Sequence, residues 1–517
     1  MKIYRQFIAL FSVIALFWAC TNDPITDFTD NQELSAKEAT IKLSQCEKIS
    51  IAYDNPASVS DAQIVRMVQE FQKVYNIGEV QTRASLPIEC KISNRYFIRD
   101  TITRGNSMTR STSDDCDNIP FCEVEVSDGE SPKMAVVCCD ERAPKVIYYG
   151  DFGQKDQSEI PMEIQLLLYM GQTSVLKDIE HIENIKDSLR ANTIEKISRK
   201  LNISESQFSY NKVKRYIEDE ASVKTRVDTG GIEMPLQLLR FVAPMSTTAW
   251  EQTHPYNLKM ETVKICETVV NAAGQLEKRI YEGRANAGCA VITLSQLCAI
   301  MHPLMAYKTT TGENKIINWG YLYEDHPWIS QNGPYGDNDP EDRIHIVTEL
   351  IRTNYIDSKS FFKYDDTKQY YLSTSTTLDG VLECLRVRHL YNTHTPNTFF
   401  NSDAALNSLF MKKSPVLLYG NGIHAIVGTD VEIERPGHVW MIDGFAECTG
   451  SVKGYTDYYW SVNMGWGKNS AKRFFLASNN PNDCPVIFYN NGKRSYIKYN
   501  PKDQGMIYDF SYRFLRK

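Results

Sequence analysis

Apolar residues recur at helical spacing over 61–75, where Ile64, Met67, Val68, Phe71, Val74 and Tyr75 share one face and Asp61 is the expected N-cap. The period then changes. Two short apolar runs, MAVVCC (134–139) and KVIYYG (145–150), flank Asp140-Glu141-Arg142-Ala143-Pro144, which predicts two strands joined by a turn. Helical spacing returns over 161–201, carried by Leu166, Leu167, Leu168, Tyr169, Val175, Leu176, Ile179, Ile182, Ile185 and Leu189. The stretch 287–301 is apolar on nearly every side and too long for a typical strand, so it predicts a buried helix. Another helix is expected over 376–390, from Leu378, Val381, Leu382, Leu385 and Val387. After it, SPVLLYG (414–420), GHVWMIDGF (437–445), DYYWSVN (457–463) and KRFFLAS (472–478) read as strands. A helix followed by an antiparallel sheet predicts an α+β fold.

The segments between these elements divide the chain. At 517 residues it exceeds what one core organises, so two domains or more are expected. Residues 20–60 are polar and acidic and read as a tether, and 101–119, rich in Thr, Ser, Asn and Asp, read as a loop. Val223 to Met234 reads as a linker, with Lys224 and Arg226 open to a protease and Asp228-Thr229-Gly230-Gly231 at its end. This places one domain at 61–228 and a second at 229–517. Lys2 and Arg5 precede the short apolar stretch Phe7 to Trp18, which cannot span a bilayer and predicts an export signal over 1–19. Cys20, just after it, resembles a bacterial lipoprotein cleavage site, although Phe17 and Trp18 are bulkier than the usual small residues. The expectation is an exported chain, lipidated at Cys20 and anchored at the outer membrane, cell surface or periplasm of a Gram-negative bacterium. Plain secretion, or release of the second domain, is the alternative.

Composition narrows the partners. Hydrophobic content of 42% and charged content of 23% are ordinary for a globular protein, and a net charge of −7 argues against a nucleic-acid partner. The histidines lack ligand spacing and no phosphate-binding loop is present, so neither metal nor cofactor is expected. Of thirteen cysteines, removing Cys20 and Cys289 leaves eleven without a CxxC pair; disulfides are permitted after export, but no pairing follows.

Chemistry gathers around Cys289. It opens the predicted helix directly after Gly288, where free backbone N–H groups and the helix dipole favour a thiolate. Alone it would be a small buried hydrophobe. His438 opens the strand HVWMIDGF behind Pro436-Gly437, and Asn463 closes the strand DYYWSVN. If those strands pair, Asn463 is placed to accept the Nδ1 proton of His438 and orient the ring. The chain order Cys, His, Asn is that of papain-type proteases. His424, in GIHAIVGTD, competes for the histidine role; His438 is preferred because a longer strand and the asparagine strand follow it. Gln252, in QTHPYN, offers a side-chain amide that could join the Cys289 N–H around an oxyanion. Singly, a satisfied, partly buried histidine and a surface glutamine are the commoner readings.

Taken together, QTHPYN (252–257), Gly288-Cys289-Ala290 with a small-residue and apolar helix containing Gln296, INWGYL (317–322), PVLLYG, GHVWMIDGF and NMGWG (463–467) resemble the streptopain-like cysteine peptidases. These are papain-fold enzymes made as secreted bacterial precursors. The similarity covers roughly 235–475, and in the first half VVCCDERAPKVIYYGD and DAQIVRMVQEFQKVY resemble that family's inhibitory prodomain. The resemblance implies a papain-like peptidase domain preceded by a prodomain that acts as an intramolecular inhibitor. It makes Cys289 the nucleophile, His438 the acid and base, Gln252 the oxyanion donor and Asn463 the orienting residue. Trp440, Gly465 and Trp466 would form the wall of the site. It also implies protein or peptide substrates and a preference for an apolar side chain next to the cleaved residue. The chain departs from the pattern at Met464, where the family has a tryptophan that shields the histidine, at Lys468 in place of glycine, and at Ala287 in place of threonine.

Three functions follow. The first is a lipoprotein zymogen of a cysteine endopeptidase, cleaved near Lys224 to Gly231 and working through a Cys289 thioester. The second is a surface lipoprotein that keeps the fold but only binds partners or inhibits proteases, as Met464 would allow. The third is another papain-like acyl-transfer enzyme, a transglutaminase or amidase, against which QTHPYN argues.

Overall fold

The computed structural model describes residues 40–53, 56–76, 89–99, 118–127, 132–150, 162–219, 236–246, 248, 250–270, 275–323, 341–390, 402–426, 432–449, 456–467, 473–477, 488–490, 493–495, 497–498 and 504–514. The signal segment with Cys20, residues 101–117 of the expected 101–119 loop and the linker at 223–234 lie outside the described residues; Asn118 and Ile119 of that loop begin a strand instead. The chain forms two compact units: the described residues of 1–52 with 188–226, and those of 53–187 with 227–517. The chain combines helices with mainly antiparallel strands, consistent with an α+β fold.

In the first unit, β1 (Ile41–Leu43) pairs in parallel with β6 (Ile217–Asp219), and α1 (Gln45–Ala52) follows β1. Ile41, Leu43, Ile51, Ile197, Leu201 and Val213 form its small core.

The second unit opens with α2 (Asp61–Tyr75). Its N-cap is Ser60, not Asp61: the Ser60 side chain accepts from the Gln63 N–H, and the Gln63 side chain accepts from the Ser60 N–H. This reciprocal capping box satisfies two otherwise open donors. The signal was legible as Ser-x-x-Gln. Next come β2 (Glu89–Arg99), β3 (Asn118–Ser127), β4 (Lys133–Cys138) and β5 (Lys145–Gly150), then the long helix α3 (Met162–Leu201), whose residues from 188 onward belong to the first unit. After the linker follow β7 (Leu238–Val242), β8 (Thr262–Val270), β9 (Leu276–Arg284), α4 (Cys289–Met301), β10 (Ala306–Lys308), β11 (Asn314–Ile316), α5 (Glu341–Asp357), β12 (Phe361–Tyr364), β13 (Tyr371–Ser375) and α6 (Leu378–Val387). The chain closes with α7 (Ser402–Met411), β14 (Val416–Ile426), β15 (Glu432–Thr449), β16 (Thr456–Asn463), β17 (Arg473–Ala477), the short hairpin β18 (Phe488–Asn490) and β19 (Lys493–Ser495), β20 (Ile497–Lys498) and β21 (Gln504–Phe514).

One antiparallel sheet dominates, in the order β2-β3-β4-β5-β17-β16-β15-β14-β21-β20, with β7 also pairing β15. Strands from either side of the predicted boundary at 228 therefore share a sheet, joined where Phe474 and Phe475 face Tyr149 and Tyr148. Their side chains share a core as well. Phe71 of α2 lies 4.6 Å from Tyr459 and 5.6 Å from Tyr149 between ring centroids. The Tyr459 hydroxyl donates to the Val146 carbonyl at 2.9 Å. Lys145, buried, reaches Asp457 at 2.6 Å and Asp178 at 2.8 Å. Burial alone would lower its pKa, but the two carboxylates outweigh it and hold it above the ordinary lysine value.

A second sheet, β12-β13-β8-β9, contains the 262–284 hairpin. Neither this hairpin nor α5 stood out in the sequence. Every residue of β9 but one is exposed, so it carries no alternation between a buried and a solvated face.

Candidate active site

Four chain segments converge on the start of α4. Gly288 has φ +91°, a backbone conformation open to glycine, and Cys289 is the first helical residue. The three residues before it are held from several sides. The Ala287 N–H donates to the Gln252 carbonyl at 2.8 Å, and the Asn257 amide donates to the Ala285 carbonyl at 3.2 Å. The Asn286 N–H donates to the Tyr371 hydroxyl at 3.1 Å, and Thr374 donates to the Asn286 carbonyl at 2.5 Å. The first and last residues of QTHPYN thus brace the approach to the cysteine, Gln252 through its backbone carbonyl and Asn257 through its side-chain amide.

Thr293 follows Cys289 by four positions and so lies on the same face of α4. Its hydroxyl donates to the Val439 carbonyl at 2.9 Å, on β15 and next to His438. A Cβ on Gly465 would lie 3.2 Å from the Ile292 methyl, so the 463–467 turn also rests on the first turns of α4. The first turns of α4 and their approach are thus contacted by the Gln252 backbone, by the strand that carries His438 and by the 463–467 turn. Cys289 and Gln252 are half-buried, whereas His438 is 5% exposed.

Strands β15 and β16 do pair, with Met441 opposite Asn463. The histidine partner differs from the sequence expectation. His438 Nε2, not Nδ1, is bonded, and to the backbone oxygen of Met464 at 3.0 Å rather than to the Asn463 side chain. A carbonyl only accepts, so Nε2 carries the proton and Nδ1 is the basic nitrogen of the neutral ring. The Asn463 amide is engaged elsewhere. Its Nδ2 donates to the Ser246 hydroxyl at 2.7 Å, and its Oδ1 accepts from the Gly465 N–H at 2.9 Å. Asn463 therefore shapes the turn that presents the Met464 carbonyl.

Two tryptophans lie beside the histidine ring. Trp440 lies 5.5 Å from the His438 ring at an interplanar angle of 25°, and Trp466 lies 4.9 Å away at 40°. Gly465 and Gly467 adopt φ of +69° and +78°, which the turn requires. Met464, fully buried, fills apolar space in the core of the sheet. Burial pushes the His438 pKa down to about 4, against a smaller upward effect of the Met464 carbonyl. His424 lies on β14 opposite Ile433, four strand positions from Gly420, the partner of His438.

Ser246, Thr293 and Asp443 join this arrangement, although none is among the site residues expected from the sequence. Asp443 was visible as a lone acid inside an apolar strand, a pattern that marks a buried carboxylate with partners to find. Among the described residues no group of three His, Cys, Asp or Glu is arranged to hold a metal ion, and no helix is long and apolar enough to cross a membrane. No protein-family model matches this chain, and no curated protein matches it.

Proposed function

We propose that the chain is a cysteine endopeptidase with a papain-like catalytic half, made as a zymogen and exported as a lipoprotein. The observation that carries this reading is the histidine arrangement. His438 Nε2 is committed to the Met464 carbonyl, which leaves Nδ1 as the base, on the strand to which the Cys289 face of α4 is bonded.

In the proposed cycle the Cys289 sulfur attacks the scissile carbonyl carbon while His438 Nδ1 holds the thiol proton. The oxyanion is held by the Cys289 N–H and the Gln252 side chain. The tetrahedral intermediate collapses to a thioester as His438 gives its proton to the leaving amine. Water, deprotonated by the same nitrogen, then hydrolyses the thioester and restores the thiol. Protein or peptide chains are the substrates, the segment before 228 is the inhibitor, and cleavage near Lys224 to Gly231 is the activating step.

The test is hydrolysis of an unstructured protein by the processed chain. Cys289→Ala is expected to abolish it, together with covalent labelling by an epoxide inhibitor of cysteine proteases. Unchanged hydrolysis in that variant would end the proposal. The non-catalytic reading, a surface protein that binds partners, has the burial of His438 in its favour. A processed chain that takes no inhibitor on Cys289 would support it.

A further inference from the structure

Strand β15 carries an irregularity directly behind the candidate site. Ile442 pairs with Val462 and Gly444 with Ser461, so Asp443 is the extra residue of a β-bulge. Bulges next to active sites re-aim a side chain. Here the re-aimed group is a carboxylate that is 1% exposed. One oxygen accepts from the Ser461 hydroxyl at 2.8 Å, the other from the Ser246 N–H at 3.0 Å. The Met245 N–H donates to the Asp443 carbonyl at 3.0 Å, and a Cβ on Gly444 would come within 2.9 Å of the Pro244 nitrogen. The 244–246 segment is thus pressed against the bulge.

From Ser246 the chain of contacts continues into the site. Its hydroxyl accepts from the Asn463 amide at 2.7 Å and approaches the Thr248 carbonyl at 3.3 Å. That carbonyl also accepts from Gln296 of α4 at 3.0 Å. Asn463 in turn takes the Gly465 N–H, which fixes the turn around Met464.

We propose that Asp443 and Ser246 are positioning residues of the candidate catalytic centre. The bulged carboxylate anchors Ser246, Ser246 anchors Asn463, and Asn463 sets the turn whose Met464 carbonyl holds His438. The proposal rests on the peptidase reading above. It makes Asn463 the middle of a relay and not the direct partner of the histidine. Burial raises the Asp443 pKa to about 6, against the hydrogen bonds it accepts, which suits a group retained for its geometry at a cost in solvation.

The experiment uses the full chain and its processed form. Two quantities are read: steady-state peptide hydrolysis, and the rate of Cys289 alkylation by iodoacetamide from about pH 4 to about pH 9, mapped by mass spectrometry. Ser246→Ala and Asp443→Asn are each expected to lower kcat by roughly 10- to 100-fold with KM within about threefold, because a small misplacement of a catalytic group costs that much. Both are also expected to shift the pH inflection of Cys289 alkylation. Ser246→Thr, which keeps a hydroxyl, restores kcat. Ser461→Ala, which removes the hydroxyl that donates to Asp443, stays within about threefold of the parent. An active parent with unaltered kcat and alkylation profile in Ser246→Ala overturns the proposal. So does a loss in Ser461→Ala as large as that in Ser246→Ala, since the role would then be structural. A parent without hydrolysis, whose Cys289 reacts as an ordinary thiol, overturns the peptidase reading itself. Ser246→Ala leaves the Ser246 N–H on Asp443, so it carries the test even where Asp443→Asn fails to fold.

Discussion

The Nε2 atom of His438 lies 3.0 Å from the backbone oxygen of Met464. A backbone partner is indifferent to the side chain at that position, so the histidine is held whichever residue stands there. The Met464 side chain serves the core instead, where it is fully buried. Met464→Ala is therefore expected to cost about 2–5 kcal/mol of stability through the cavity it leaves. Inhibitor labelling of Cys289 in the folded variant stays within a few-fold of the parent. Denaturant unfolding and labelling rates measure the two effects separately, and loss of labelling at parental stability would assign the role to the side chain.

His438 and Asp443 are both buried and titrate with opposite sign. His438 has its pKa pushed down to about 4 from an ordinary 6.5, so between those values the unfolded chain binds a proton that the native state refuses. Stability then falls as pH drops. Asp443 is pushed up to about 6 from an ordinary 3.8, so in that window the native state keeps a proton that the unfolded chain releases. Its contribution is present below pH 3.8 and lost as pH rises through 6. The two largely offset between pH 6 and 4. Asp443→Asn removes one of them, and the variant should lose about 1 kcal/mol more than the parent on going from pH 7 to pH 5 in urea titrations. Identical pH dependence in the two proteins would contradict the opposed shifts.

Lys145 joins the first half of the second unit to the strand carrying Asp457, and both are nearly inaccessible. Lys145→Met leaves Asp457 buried without its cation and is expected to cost about 3–5 kcal/mol. Adding Asp457→Asn should recover part of that loss, because paired charges are coupled and not additive. A double-mutant cycle on chemical unfolding gives the coupling directly; additive losses would mean that the ion pair is energetically idle.

Gly288 faces a different constraint. Its φ of +91° excludes most side chains, and a Cβ there would sit 3.1 Å from the Thr374 methyl. Gly288→Ala is expected to cost about 1–3 kcal/mol in strain and to displace Cys289, with a fall in inhibitor labelling larger than the fall in stability explains. Labelling at the parental rate would show that the cysteine is held by the helix and not by its approach.

The helices at 61–75, 162–201, 289–301 and 378–387 were legible because each repeats apolar residues at helical spacing or sustains them for too long to be a strand. The strands around His438 and Asn463 were legible for the complementary reason. The β8–β9 hairpin was not: an edge strand exposed on both faces has no buried side to imprint a period. The role of Asn463 was misassigned because spacing along the chain says which strands can pair, but not which oxygen a ring nitrogen meets once a turn has formed. The Met464 carbonyl has no signature in any residue type, since every residue has one.

Local pattern therefore specified the α+β class, the cysteine at the head of a buried helix, and the histidine and asparagine strands. These depend on interactions a few residues apart, which the order of side chains encodes directly. The long sheet joining β5 to β17 and the Ser246–Asn463 contact depend on segments hundreds of residues apart, and the bulge at Asp443 on the register in which β15 and β16 pair. Such contacts are chosen by the global balance of packing and hydrogen bonding in the folded chain, where a single added residue in one strand redirects a carboxylate toward the site.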